Sequence, residues 1–148
     1  MIREMKISDL PEVIDIRVSV KENAITLARL SALGITTESL ANALNTDSKG
    51  WVYIESGTML GFVMGDGVTG EVYVLAVLPG HEKKGIGAGL MNAAQQWLFS
   101  QGHQQLWLKT SPDPSFRAYG FYKKLGWQPT GELDGEDEKF VLLKDTVV

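Results

Sequence analysis

The sequence contains no cysteine. That removes disulfides, thiolate nucleophiles and zinc–thiolate centres, and it is compatible with a reducing compartment. Histidine is nearly as scarce. His81 and His103 stand alone, with no acidic residue or second histidine at ligand spacing, so no metal is expected. Basic residues do not dominate either: 14 Lys and Arg against 18 Asp and Glu give a net charge of −4. A general nucleic-acid binder would show a basic face, so no nucleic-acid partner is expected. No charged segment followed by an apolar stretch opens the chain, and no apolar run is long enough for a membrane span. These absences point to a cytoplasmic protein without a membrane partner. Internal repeats and low-complexity tracts are missing as well.

What is present is an ordinary globular composition, 44% hydrophobic and 22% charged. A chain of 148 residues can build one substantial core and is too short for two, so a single domain over residues 1–148 is expected. The chain is organised around residues 72–91. An apolar, β-branched run begins there and reads as a strand buried on both faces. Pro79 ends it, having no amide hydrogen for a ladder. Gly85, Gly87 and Gly89 follow, and then Ile86, Leu90, Ala93, Ala94, Trp97 and Leu98 recur at helical spacing up to Gly102. The glycines therefore stand where a strand hands over to a helix. The first turn of a helix has unpartnered amides and partial positive charge, Lys83 and Lys84 precede it, and glycine lets a ligand approach the main chain. The reading is a diphosphate cradle. A Walker loop fails, because Ile86 and Gly87 stand where Lys and Ser/Thr belong. A dinucleotide fold fails too, since the glycines fall midway along the chain and no acidic residue follows at the required distance.

The remaining elements follow from periodicity and turn residues. Residues 2–7 read as a first strand, and Ser8 or Asp9 caps a helix carrying Leu10, Val13, Ile14 and Val18. Residues 24–35 are ambiguous, and residues 37–44 are helical with Thr36 or Thr37 as cap. Residues 50–55 and 59–65 form a hairpin around Ser56-Gly57-Thr58. Residues 105–110 are a strand. A helix starts at Pro114 or Ser115 and runs to Leu125, and residues 127–133 and 138–143 make a last hairpin. The order βααβββαβαββ implies an α/β fold, a mixed sheet with helices on both faces.

One pattern inside this frame is specific. Val77, Pro79, Glu82, Gly85 and Gly87 match Val-x-Pro-x-x-Gln/Arg-x-x-Gly-x-Gly, with Glu82 in place of Gln or Arg. Ser115, Ala118, Phe121, Tyr122, Lys124, Gly126 and Trp127 match Asn-x-x-Ala-x-x-Phe-Tyr-x-Lys-x-Gly-Phe, with Ser115 for Asn and Trp127 for Phe. With both motifs on the expected elements, the chain resembles the GCN5-related N-acetyltransferase (GNAT) family over nearly its full length. The resemblance implies the family fold and acetyl-CoA as co-substrate. It implies a small-molecule or protein amine as acceptor, and pairing into a homodimer, which is common in the family. It assigns coenzyme A contacts to Leu75, Ala76, Val77, Glu82, Lys83, Lys84, Gly85, Ile86, Gly87, Ala88, Ser115, Ala118 and Tyr122. Glu82 is expected to use its amide, its carboxylate pointing away from the phosphates.

Acetyl transfer from a thioester to an amine requires a polarised carbonyl, a deprotonated amine and a protonated leaving thiolate. The resemblance places the carbonyl donor near a bulge of the fourth strand, at Leu75–Val77. Val77 is the chosen donor, worth about 3–4 kcal/mol in comparable oxyanion holes. Glu71 opens the same strand and by two-residue alternation shares a face with Tyr73, Leu75 and Val77, which suits a general base. The alternative for Glu71 is a solvated strand end. Tyr122 is the family's usual acid; its alternative is a core aromatic beside Tyr119 and Phe121. Glu22 and Asn23, with Glu71 and Tyr73, are the expected acceptor side. A second functional class remains open at this point, a non-catalytic module that senses acyl-CoA.

Overall fold

The structure is a computed structural model that describes residues 1–144. The last four residues of the expected single unit, 145–148, lie outside the described residues. Strands β1 (Ile2–Glu4), β2 (Ser48–Glu55), β3 (Thr58–Asp66) and β4 (Val72–Val77) line up in that order as an antiparallel sheet. Strands β5 (Gln105–Thr110), β6 (Gln128–Asp134) and β7 (Asp137–Leu143) form a second antiparallel sheet, ordered β5-β7-β6. The sheets meet at one parallel bridge, Glu71 with Trp107, where the Trp107 amide donates to the Gly70 carbonyl at 3.2 Å. Beyond that seam β4 and β5 share no ladder. The mixed α/β sheet is present, split by a wedge along its middle.

Two buried clusters lie on opposite faces. Helix α4 (Ile86–Ser100) contributes Ile86, Leu90, Met91, Ala94 and Leu98, which pack with Val63, Leu106, Leu108, Trp127 and Phe140. This is the apolar stripe read from its sequence. Trp127 is fully buried and its indole N–H donates to Gln95 Oε1 at 3.1 Å, so no polar atom is stranded. On the other face α1 (Leu10–Ser19) packs Leu10, Val13 and Ile16 against Val52, Phe62, Met64 and Ala76, joined by Leu40 and Leu44 of α3 (Thr37–Asn45). Helix α5 (Arg117–Lys124) covers the second sheet through Tyr119, Phe121 and Tyr122.

Local chemistry explains most boundaries. The hairpin turn between β2 and β3 has left-handed φ at both Ser56 (52°) and Gly57 (78°), as a two-residue turn matched to strand twist requires. Thr36 and Ser39 exchange side-chain to amide bonds at 3.1 and 2.9 Å and start α3 where expected.

Three larger departures from the expectations stand out. The first strand ends at Glu4, not residue 7, because Asp9 folds back to accept from the Lys6 amide at 2.7 Å and from Arg3 at 2.8 and 2.9 Å. The ambiguous segment contains a further helix, α2 (Leu27–Ala32), capped by Thr26, so three helices separate β1 from β2. It buries only Leu30, too little to show a period. The helix expected from Pro114 or Ser115 begins at Arg117, since Asp113 accepts the Ser115 amide at 2.9 Å in a separate turn. Among the described residues no helix is long and apolar enough to cross a membrane, and no group of three or more His, Cys, Asp or Glu stands together as a metal site.

Candidate functional site

The wedge between β4 and β5 exposes one edge of β4. The Leu78 amide donates to the Leu60 carbonyl of the β3 side at 2.8 Å. Antiparallel alternation then turns Ala76 toward β3, and Leu75 and Val77 toward the wedge. Their N–H and C=O groups are the free donors and acceptors of this wall.

The register of β4 contains one irregularity. Met64 faces Val74 and Gly65 faces Val72, so Tyr73 is an extra residue. This corrects two expectations. The bulge lies at Tyr73 instead of at Leu75–Val77. Glu71, Tyr73, Leu75 and Val77 do not share a face, because a bulge resets the alternation. Leu75 and Val77 pack with the α4 cluster, whereas Tyr73 and Val74 both pack with the α1 cluster.

At the open end of the wedge stands the glycine turn. Gly85 has φ 79°, which glycine adopts without strain, and it lets the chain enter α4 at Ile86. The Gly89 amide returns to the Gly85 carbonyl at 3.1 Å, which leaves the amides from Gly85 to Ala88 without intrahelical partners. Lys83 and Lys84 are exposed beside them, and Lys84 Nζ lies 2.9 Å from His81 Nδ1. Ile86 is buried in the core, so only its amide is available. A Cβ on Gly87 would come 3.1 Å from the Phe121 ring, so this glycine lets α4 and α5 meet closely.

Arg117 gathers two carboxylates at the rim. Its guanidinium pairs with Glu82 at 3.0 Å, and its main-chain amide donates to both oxygens of Glu22, at 3.0 and 3.1 Å. The Glu82 carboxylate also accepts the Gly80 amide at 2.9 Å. Its own main-chain amide first, then Arg117 and the Gly80 amide, hold its carboxyl below the usual range against the opposing effect of burial. The acidic replacement in the glycine motif is thus neutralised by an arginine of the second motif. Ser115 is exposed and does not line the wedge.

The wedge encloses a cavity of about 480 Å³. Of the residues expected from the sequence, Glu22, Asn23, Tyr73, Leu75, Ala76, Val77, Glu82, Gly87, Ala118 and Tyr122 line it together. Lys83, Lys84, Gly85, Ile86 and Ala88 stand at its open end instead of in its wall, and Glu71 lies at the seam outside the wall. Tyr122 packs edge-on against Phe121 and Trp127, and its hydroxyl bonds to no described residue. Burial pushes its phenol well above the ordinary value, so it stays protonated. Burial also raises the Glu71 carboxyl, with Asp66 adding to the effect and Lys109 opposing it. The Tyr73 hydroxyl is buried beside Ser48 without a hydrogen bond of ordinary geometry, and burial raises its phenol too.

Sequence reading missed Arg17, Lys109, Phe116 and Arg117, all of them in the wall. For Arg17 a signal existed, an arginine at i+4 from Val13 in the apolar stripe of α1. For Arg117 none did, because its partners Glu22 and Glu82 are remote in sequence.

The description "Acetyltransferase (GNAT) family" matches residues 21–127. No curated protein sequence matches the chain. Among solved structures, the PaiA N-acetyltransferase from Thermoplasma acidophilum, in complex with coenzyme A, superposes with a TM-score of 0.83 at 20% identity. That likeness covers 97% of this chain and 98% of that one. Ard1 from Thermoplasma volcanium gives 0.74 at 22% identity, covering 97% and 96%. An aminoglycoside 6'-N-acetyltransferase complexed with coenzyme A gives 0.73 at 18%, again covering 97% and 96%. These likenesses concern the fold.

Proposed function

This chain belongs to the acetyltransferase (GNAT) family, and from that premise we propose that it transfers an acetyl group from acetyl-CoA to a primary amine by direct attack. One observation carries the reading. The free main-chain groups of Leu75 and Val77 line a cavity whose open end is the unpartnered first turn of α4. A diphosphate fits that turn, with Lys83 and Lys84 beside it. The amide-bearing arm of coenzyme A fits the free edge of β4, as a strand would. That two of the similar structures hold coenzyme A is in keeping with this assignment.

Acetyl-CoA supplies a thioester, and the residues do the rest. The Val77 amide donates to the thioester oxygen as negative charge grows on it. The amine nitrogen bonds to the carbonyl carbon while the carbon–sulfur bond breaks. Tyr122 gives its proton to the departing sulfur, and its high pKa keeps that proton available. The proton from the amine leaves toward Glu71 through water, because Glu71 is outside the cavity wall. Its raised pKa makes it a better acceptor than an ordinary glutamate. We place the acceptor against Asn23, Tyr73 and the Glu22 loop, and pairing into a homodimer is part of the same proposal.

Calorimetry with coenzyme A and free-thiol release with acetyl-CoA and a panel of amines test the reading. Binding with amine-dependent thiol release is expected. Absence of binding at millimolar coenzyme A would overturn it, and binding without release for any amine would reduce the chain to a sensor.

A further inference from the structure

We propose that Arg17 binds a carboxylate of the acceptor, so that the substrate is an amine that also carries an acid, as an amino acid does. The inference rests on the acetyl-transfer reading and goes beyond it by naming the acceptor class.

Arg17 is half-buried in the last turns of α1 and lines the cavity. It follows Val13 by four positions and precedes Val20 by three, so it occupies the stripe that Leu10 and Val13 fill with apolar side chains. An arginine stays charged, and a charge removed from water calls for a partner. Burial lowers the pKa of this guanidinium, as it does for a cation held partly out of water. Yet no carboxylate lies within salt-bridge distance among the described residues. Its one protein bond runs from Nη2 to the Asn23 carbonyl, at 3.1 Å. The other cationic groups of the wall differ. Arg117 pairs with Glu82, Lys109 pairs with Asp134, and Lys21 is exposed to solvent.

The Asn23 backbone shapes this contact. It holds φ at 56°, a left-handed conformation that asparagine tolerates and most residues avoid. That backbone turn aims its carbonyl at Arg17 and fixes the guanidinium over the cavity. Such strain concentrates at binding sites, where the surrounding structure holds it in place.

The remaining donors form a planar fork, and its match is a carboxylate held by two parallel bonds. The diphosphate of coenzyme A is not that anion. Its cradle is the first turn of α4, which packs on the Leu75 and Val77 face of the sheet. Arg17 lies with α1 on the opposite face, where the bulge turns both Tyr73 and Val74. An acceptor arriving over that face meets the guanidinium, while its amine reaches the carbonyl at the edge of β4.

The test uses amines that differ only in the acid: L-lysine against cadaverine, and L-phenylalanine against phenethylamine. With the wild-type protein, the acid-bearing member of a pair should have the higher kcat/KM, by roughly 10- to 100-fold. Arg17→Gln should erase that preference through KM and leave the affinity for coenzyme A unchanged. Arg17→Lys should restore part of it, since the charge returns without the fork. Equal or faster turnover of the acid-free amines overturns the proposal and leaves the acetyl-transfer reading intact. A fall in coenzyme A affinity in Arg17→Gln overturns it as well. If no amine of the panel turns over while coenzyme A binds, titration of N-acetylglycine onto the coenzyme A complex decides. Heat that disappears in Arg17→Gln supports the carboxylate site, and no heat overturns it. Absence of coenzyme A binding would instead sink the acetyl-transfer reading, and this inference with it.

Discussion

Both carboxylate oxygens of Glu22 accept the main-chain amide of Arg117, from 95 positions away in the chain. The loop after α1 thereby caps the first turn of α5 and closes one side of the cavity rim. Glu22→Ala should cost about 1 kcal/mol, as the loss of a helix cap does. Amide hydrogen exchange should show the loss confined to the first turn of α5. Unchanged protection at Arg117 and Ala118 would mean that the contact contributes nothing in solution.

Tyr122→Phe removes a hydroxyl and keeps the edge-on packing against Phe121 and Trp127. Turnover should fall by roughly 10²- to 10⁴-fold with acetyl-CoA affinity nearly unchanged, as for a lost general acid. Steady-state kinetics with calorimetry check this, and wild-type turnover would return Tyr122 to the core.

Glu71 acts as a base only when ionised, and burial raises its pKa. The acid limb of the rate profile should therefore lie above the ordinary glutamate value, with activity lost as pH falls through it. Glu71→Gln should abolish that limb and lower the rate above it to the level to which the wild-type protein falls at acid pH. A profile identical to wild type would remove Glu71 from the mechanism.

The Glu82–Arg117 pair is exposed, so breaking it should barely move the melting temperature. Its effect should appear in binding. Glu82→Gln deletes a negative charge beside the α4 turn and frees the guanidinium, so coenzyme A should bind about two- to fivefold more tightly at low salt. The gain should shrink as salt rises, and weaker binding at every salt concentration would contradict this.

Asp9 behaves differently, because it is buried and held by two bonds from Arg3 and one from the Lys6 amide. The Arg3 guanidinium, followed by the Lys6 amide, depresses its pKa below the usual carboxylate range, against the opposing effect of burial. A depressed carboxylate stabilises the fold above its unfolded pKa, and that contribution is lost as pH falls through the folded value. Asp9→Asn should destabilise by roughly 2–3 kcal/mol at neutral pH. The gap to wild type should close below about pH 4, where the unfolded carboxylate takes up its proton. Denaturant unfolding at several pH values reads it directly.

Where one physical pattern governed a segment, the sequence was readable. The stripe of α4, the Thr36 cap and the Ser56-Gly57 turn each combine a local signal with a local cause, and each stands where it was expected. The two motifs likewise brought Val77, Gly87, Ala118 and Tyr122 to one cavity. Alternation failed at Tyr73, because a bulge is decided by pairing with β3 and not by the β4 sequence. Period alone therefore assigned Glu71 and Tyr73 to the wrong company. The partnership of Arg117 with Glu22 and Glu82 was equally out of reach, since it joins three segments that meet only after folding. Arg17 was missed for a different reason: a lone charge in a hydrophobic stripe reads as noise until its surroundings are known.

The single bridge between Glu71 and Trp107 gives the cavity a narrow apex and a broad mouth. Girth then decides direction. A molecule with a slender tail and a bulky, charged head can enter only tail first, with its head left at the mouth and its tail directed along the free edge of β4. Polarity of docking is thus written into the way two sheets part company, before any side chain has been consulted.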